Sequence, residues 1–289
     1  MDINQILIAV GSLGAVAIIF AVLLGFASKV FHVPVDPKVQ EVRAALPGAN
    51  CGACGFPGCD GLADAIAKGD ASINACPVGG AEVSGHLAEI MGQVANETSK
   101  QVAVVRCAGD KTLAEDKFKY VGIRDCRADQ ALQNGHKKCP FGCLGCGTCV
   151  DVCQFDAIHI VNGVAKVDKE KCTACEMCIK ICPRDLITLM PYDNQTEVLC
   201  SSTDKGKDVR GYCKVGCIGC KICEKNCPEE AITVDKFLAH IDHDKCVDCG
   251  ICIEKCPQNS IRDYEEKIMK INDRYEIRVV VAEQKDGTK

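Results

Sequence analysis

The chain has 289 residues, 25 of them cysteine, a formal net charge of −5 and an aromatic content of 4% with no tryptophan. That length allows two or three small domains, and the acidic balance argues against nucleic acid as a partner. Cysteine at about 9% marks a cysteine-built scaffold, with too few aromatic rings for an ordinary hydrophobic core of this size. Small secreted proteins use such cysteines in disulfides. Thiols kept free instead call for a reducing, cytoplasmic-side compartment.

Ile3 to Ala27 carries no charge and is almost wholly apolar. At about 1.5 Å per residue it can cross a hydrocarbon core of about 30 Å, so residues 1–29 read as a transmembrane anchor meeting the bilayer through residues 3–27. A cleaved signal peptide would open on basic residues, whereas this chain opens on Asp2. Lys29, His32, Lys38 and Arg43 follow the span, which predicts an N-terminus outside and everything beyond residue 29 in the cytoplasm. Gly11, Gly14 and Ala15 offer a small-residue face to another membrane helix. Asp36 is placed to cap a helix with Pro37 at its first position, and Val39, Val42 and Leu46 share one face of it.

Residues 30–100 form the next unit. Cys51, Cys54, Cys59 and Cys76 give C-x2-C-x4-C-x16-C, four ligands for one [4Fe–4S] cube. Gly52, Gly55 and Gly58 let the backbone close on an inorganic core. A helix is predicted from Asp60 to Lys68 and another from Ala81 to Met91.

Beyond it, sixteen cysteines fall into four combs of one design, C-x2-C-x2-C-x3-C: Cys143, Cys146, Cys149 and Cys153; Cys172, Cys175, Cys178 and Cys182; Cys217, Cys220, Cys223 and Cys227; Cys246, Cys249, Cys252 and Cys256. This spacing brings three thiolates around one cube and sends the fourth to a second. Zinc sites need only four ligands and are usually built from C-x2-C pairs, so the third and fourth teeth of a comb have no use there.

The combs repeat at a step of 74 residues, Cys143 to Cys217 and Cys182 to Cys256. Each ends in a similar phrase, such as Cys182-Pro-Arg-Asp-Leu-Ile187 and Cys227-Pro-Glu-Glu-Ala-Ile232. Strand hairpins are predicted after the first and third, at 157–167 and 231–241. Here the chain resembles bacterial-type two-cluster ferredoxins, taken twice. The resemblance implies crossed ligand sets: Cys143, Cys146, Cys149 with Cys182; Cys172, Cys175, Cys178 with Cys153; Cys217, Cys220, Cys223 with Cys256; Cys246, Cys249, Cys252 with Cys227. Gln154 stands where that family has proline; the proline shapes a turn and is not a ligand.

The repeat reaches upstream. Cys139 maps to Cys213 at the same step, and Val105-Arg106-Cys107 resembles Val198-Leu199-Cys200 at 93, so the first copy carries 19 extra residues that include Cys126. Cys107, Cys126, Cys139, Cys200 and Cys213 are left over after five clusters. They read either as buried thiols beside the clusters or as the source of a sixth cluster. Lys180, Arg184, Lys214, Lys221, Lys225 and Lys255 thread the combs and read as solvated charge, some of it available to an acidic ferredoxin. The expected units are thus 101–138, a connecting segment with Cys107 and Cys126; 139–191 and 192–262, two ferredoxin units; and 263–289, an extension with a charged helical piece, a strand at 275–282 and a loose tail. The fold class is α+β.

No nucleophile–base pair, phosphate loop or dinucleotide fingerprint is present, so no catalytic residue is assigned and the chain reads as an electron relay. The order of parts resembles the B subunit of Rnf complexes: an uncleaved N-terminal span, then Cys51-Gly-Ala-Cys-Gly-Phe-Pro-Gly-Cys59, then Gly142-Cys143-Leu144-Gly145 and ferredoxin combs. That resemblance implies an ion-translocating ferredoxin:NAD oxidoreductase, with reduced ferredoxin as donor and polytopic membrane and flavin/NAD-binding subunits as partners. It places the anchor in a bacterial cytoplasmic membrane. An anchored relay of another anaerobic membrane oxidoreductase, and a structural or sensing cluster protein, are the competing readings.

Overall fold

The computed structural model describes residues 3–31, 36–94, 99–263, 267–271 and 274–278. Helix α1 (Ile3–Val30) is uncapped by any acidic residue and carries Lys29 in its last turn. Its stretch Val10–Val30 is long and apolar enough to cross a membrane, and none of it is buried against the rest of the chain. An apolar cylinder left bare by the rest of the chain is consistent with membrane association.

Helix α2 (Pro37–Ala45) starts as the sequence predicts, with the Asp36 carboxylate accepting the backbone N–H of Lys38 at 2.9 Å. Helices α3 (Cys59–Lys68) and α4 (Gly80–Met91) each end on a left-handed glycine, Gly69 and Gly92. Val42, Leu46, Leu62, Ile66 and Leu87 form one small core among the three helices, with Val39 packed against it. This core presents the N-terminus of α3, and with it Cys59, to the Cys51–Cys54 loop.

The comb region is built twice. The first part contains β1 (Gln101–Val105), α5 (Cys126–Ala131), α6 (Thr148–Asp151), β2 (Ile158–Val161), β3 (Val164–Val167), α7 (Met177–Ile181) and β4 (Ile187–Pro191). Strands β2 and β3 make the predicted hairpin, Ile158 opposite Val167. Strand β1 pairs antiparallel with β4, Val105 opposite Ile187. The second part contains β5 (Thr196–Val198), α8 (Gly206–Arg210), α9 (Ile222–Asn226), β6 (Ile232–Asp235), β7 (Leu238–Ile241), α10 (Ile251–Lys255) and β8 (Ile261–Asp263). Its pairings are the same: β6 with β7, and β5 with β8. Each part thus has a hairpin at one end and a closing strand pair at the other, with cysteine loops between.

Two expectations are corrected. Residues 101–138 are not simply a connection, because β1 belongs to the closing sheet of the first part; a boundary at 139 cuts that sheet. The stretch beyond Arg262 is not helical where it is described. Strands β9 (Lys267–Ile271) and β10 (Arg274–Arg278) pair antiparallel, Met269 opposite Glu276. The strand expected at 275–282 is seen as far as Arg278; the loose tail lies outside the described residues.

The two parts are hydrogen-bonded to each other. Ala108 donates to Leu199 O at 3.0 Å, Lys214 to Leu113 O at 2.8 Å, and Glu115 to Tyr212 O at 2.9 Å. Ala114 and Cys213 form an antiparallel bridge.

Candidate metal centres

Each comb is shaped by the same backbone device. The residues before and after the second cysteine are both left-handed: Gly145 and Gly147, Ala174 and Glu176, Gly219 and Lys221, Asp248 and Gly250. A third left-handed residue follows each last cysteine by three positions: Asp156, Asp185, Glu230 and Asn259. Left-handed backbone is costly for residues other than glycine, so its recurrence at twelve equivalent places, eight of them not glycine, marks the tight turns that curl each comb. After the second turn each comb enters a one-turn helix, α6, α7, α9 or α10, which carries the third cysteine.

The thiols converge as these turns dictate. Cys51, Cys54, Cys59 and Cys76 line one cavity of about 300 Å³. Cys217, Cys220, Cys223 and Cys256 line another of about 340 Å³, and Cys246, Cys249, Cys252 and Cys227 one of the same size. Cys178 lies among Cys172, Cys175 and Cys153. In the last three cases the cysteines that lie close together are those of the crossed sets that the ferredoxin resemblance implies. The cavity at Cys143, Cys149 and Cys182, about 370 Å³, departs from this pattern: its fourth cysteine is Cys126, not Cys146. A fifth cavity, about 390 Å³, is lined by Cys107, Cys139, Cys200 and Cys213.

The donor chemistry fits iron–sulfur groups. Burial pushes the Cys178 and Cys252 thiols up to about 12 and Cys223 up to about 11, and Cys149 also rises. Neighbouring thiolates add to the effect. Clustered buried sulfurs without a counterion resist ionisation, and a cationic iron core supplies the missing charge. Backbone N–H groups are aimed at sulfur: Ala157 at Cys153 and Ser260 at Cys256, at 3.4 and 3.3 Å, in the turns that close the first and fourth combs. Ala165 points at Cys143 at 3.5 Å and Ala103 at Cys172 at 3.4 Å. Such donors stabilise added negative charge on a cluster and tune its potential.

Several threaded cations have structural tasks. Arg184 donates to Cys139 O at 3.0 Å, Gly142 O at 2.7 Å and Asn134 O at 2.6 Å, which pins three loop carbonyls. Lys180 reaches Ala53 O at 3.5 Å and links the first comb part to the three-helix unit. Lys221 pairs with Glu224 at 3.3 Å on the surface. No sequence motif marks Asp129, which is fully buried on α5. It receives the His136 N–H at 3.1 Å, contacts the His136 ring Nδ1 at 2.6 Å, and lies 3.6 Å from the Cys146 sulfur. Its one sequence signal is its place beside Cys126 in the insert.

Family models agree with this geometry. Residues 46–78 match the FeS model, described as an Fe-S cluster. Residues 140–189 and 216–260 each match a model described as a 4Fe-4S dicluster domain. The chain is therefore an iron–sulfur protein of the ferredoxin-domain class with an apolar N-terminal helix. Among known proteins it is 50% identical over 244 residues to the B subunit of the Na(+)-translocating ferredoxin:NAD(+) oxidoreductase complex of Acetobacterium woodii, covering 84% of this chain and 73% of that one. It is 43% identical over 225 residues to the B subunit of the ion-translocating oxidoreductase complex of Methanosarcina acetivorans, 78% of this chain and 85% of that one. It is also 39% identical over 242 residues to the B subunit of the proton-translocating ferredoxin:NAD(+) oxidoreductase complex of Clostridium ljungdahlii, 83% and 85% respectively. The chain belongs to this family, the B subunits of Rnf complexes.

Proposed function

We propose that the chain is the membrane-anchored iron–sulfur electron-transfer subunit of an Rnf-type ferredoxin:NAD oxidoreductase that drives Na⁺ or H⁺ transport. It accepts electrons from reduced ferredoxin and passes them toward flavin- and NAD-binding partner subunits. The observation that carries this reading is the series of apolar cavities, each closed by four cysteines, in a chain half identical to a protein of such a complex.

Bound [4Fe–4S] groups supply one-electron transfer. The chain's own part is to hold, space and shield them. Cys51, Cys54, Cys59 and Cys76 hold one, and Cys172, Cys175, Cys178 and Cys153 a second. Cys217, Cys220, Cys223 and Cys256 hold a third, and Cys246, Cys249, Cys252 and Cys227 a fourth. A fifth rests on Cys143, Cys149 and Cys182 with one thiol of the Cys126–Cys146 pair. The two comb parts act as tandem bacterial-type ferredoxin units. Helix α1 anchors them in a lipid bilayer with its N-terminus outside, so the wire is fixed against membrane partners on the cytoplasmic face. The substrate chemistry and the ion pathway belong to those partners; one span cannot make an ion pathway alone.

Redox-titrated EPR on the anaerobically purified chain tests the proposal. Several low-potential signals reducible by ferredoxin are expected. A chain that holds its iron yet yields no ferredoxin-reducible signal would defeat the relay.

A further inference from the structure

We propose that Cys107, Cys139, Cys200 and Cys213 bind an additional [4Fe–4S] cube between the two comb parts; the inference rests on the iron–sulfur reading above. All four thiols are buried and line the same cavity. Its extent is comparable to that of the four cavities lined by comb or three-helix-unit cysteines. Gly109, Gly142 and Gly216 bring bare backbone to its wall. A Cβ on Gly109 would lie 3.3 Å from Cys213 Sγ and 3.8 Å from Cys107 Sγ, and one on Gly142 would lie 3.5 Å from Cys139 Sγ. Lys137 is only 2% exposed, lines the cavity and is tied to Gly109 O at 2.5 Å. It gives the wall the positive charge an anionic cube favours.

The donor set is symmetric in the repeat. Cys107 corresponds to Cys200 and Cys139 to Cys213, so each part contributes one pair. The surrounding bonds repeat as well. Cys143 N donates to Cys107 Sγ at 3.4 Å, and the backbone of Cys217, 74 positions on, donates to Cys200. The cavity is therefore tied by one N–H···S bond to the Cys143 site and by another to the Cys217 site. A cube there connects the two ferredoxin-like parts.

Native mass spectrometry and iron analysis of the intact, anaerobically purified chain test this without any variant. The expected content is about 24 iron and 24 sulfide per chain. About 20 of each, or zinc at the extra site, overturns the proposal while leaving the relay intact; a chain without iron overturns the relay itself. Replacing Cys200 and Cys213 together with alanine should remove one cube's worth of iron and leave the other EPR signals in place. Full retention of iron by that variant also refutes the site.

A second inference rests on a different observation. We infer that Cys126, not Cys146, is the fourth ligand beside Cys143, Cys149 and Cys182. Cys126 lines that cavity and Cys146 does not, and the neighbours of Cys149 include Cys143, Cys126 and Cys182. The backbone of Cys126 is fixed by Thr148 Oγ1 at 2.7 Å, one residue from Cys149. The Cys146 thiol touches the Cys126 thiol from outside the cavity and also contacts Asp129 at 3.6 Å and Leu144 O at 3.8 Å. With this exchange, six sets of four account for every cysteine except Cys146.

The test compares Cys126→Ala with Cys146→Ala in the full chain. Cys126→Ala should lose about four irons. Cys146→Ala should keep them all, with only a shift in the potential of one EPR signal as a neighbouring thiol is removed. Loss of iron in Cys146→Ala, or full retention in Cys126→Ala, refutes the exchange. The remaining EPR signals report whether either variant is still folded.

Discussion

The two comb parts share strand pairing, turn geometry and cysteine register, yet they differ in cover. In the first, Cys143, Cys146 and Cys149 are all buried, and the core around them takes in Val102, Val104, Ile158, Val164, Leu186 and Met190. In the second, Cys220 and Cys249 are exposed, and the core reduces to a few residues such as Val198, Ile232, Leu238 and Ile261. The insert explains much of this. Helix α5 and the segment to Lys138 wrap the first comb, and Asp129, His136 and Tyr120 stack over it, the last two rings with centroids 6.4 Å apart. One scaffold therefore supplies a shielded environment and a solvent-near one. Since exposure is among the settings of cluster potential, the parts are suited to different positions on an electron path.

The largest expected effect concerns lability. On exposure to oxygen or a chelator, the second part should lose its iron first. Timed alkylation with mass spectrometry should label Cys220 and Cys249 well before Cys143 and Cys149. Simultaneous labelling would mean that the burial difference has no chemical weight.

Next come the glycines that let the combs close on their hairpins. A Cβ on Gly145 would sit 2.3 Å from Gly163 O, and one on Gly219 would sit 2.7 Å from Phe237 Cα. Backbone cannot give way cheaply, so Gly145→Ala and Gly219→Ala should each cost about 3 kcal/mol or more. Gly250 is left-handed but faces open space, so Gly250→Ala should cost about 1–2 kcal/mol. Anaerobic thermal melts followed at the cluster absorbance would rank the three; an equal cost at Gly250 would remove the steric argument.

The smallest effect is a pH dependence confined to the second part. His243 Nε2 lies 2.9 Å from Glu197, and that hydrogen bond raises the imidazole above its usual value against the opposing effect of burial. A raised histidine contributes stability below its unfolded value of about 6.5 and loses it as pH climbs through the folded value. Burial of the imidazole opposes the hydrogen bond and keeps the net contribution small, on the order of 1 kcal/mol. The second part should therefore melt slightly lower at pH 8 than at pH 6, and His243→Gln should flatten that slope; an unchanged slope would assign it elsewhere.

Much of this is legible in the chain. The combs, both hairpins, the Asp36 cap and the apolar N-terminal helix are local patterns, readable because cysteine spacing and hydrophobic period act over a few residues. What escapes is long-range. Val105 meets Ile187 across 82 positions, so β1 cannot be recognised as half of a sheet from its neighbours alone. The approach of Cys126 to Cys149 depends on how the insert folds back, which no spacing encodes. The charged stretch after Arg262 invites a helix that does not form where the chain is described. Yet Tyr275 and Ile277 alternate with charged residues, and Asn272-Asp273 separates the two runs, which is a hairpin pattern.

The repeat-related pairs Cys107–Cys139 and Cys200–Cys213 have a further consequence. Under the proposed extra cube, a single unit made alone would carry half of its donor set and nothing to complete it. Two separate copies would assemble the whole set only by docking against each other, as a homodimer sharing a centre at its seam. Joining the copies in one chain would make that encounter intramolecular, so completion of the seam would no longer depend on protein concentration. It would become a late step in maturation, following the synthesis and folding of both copies.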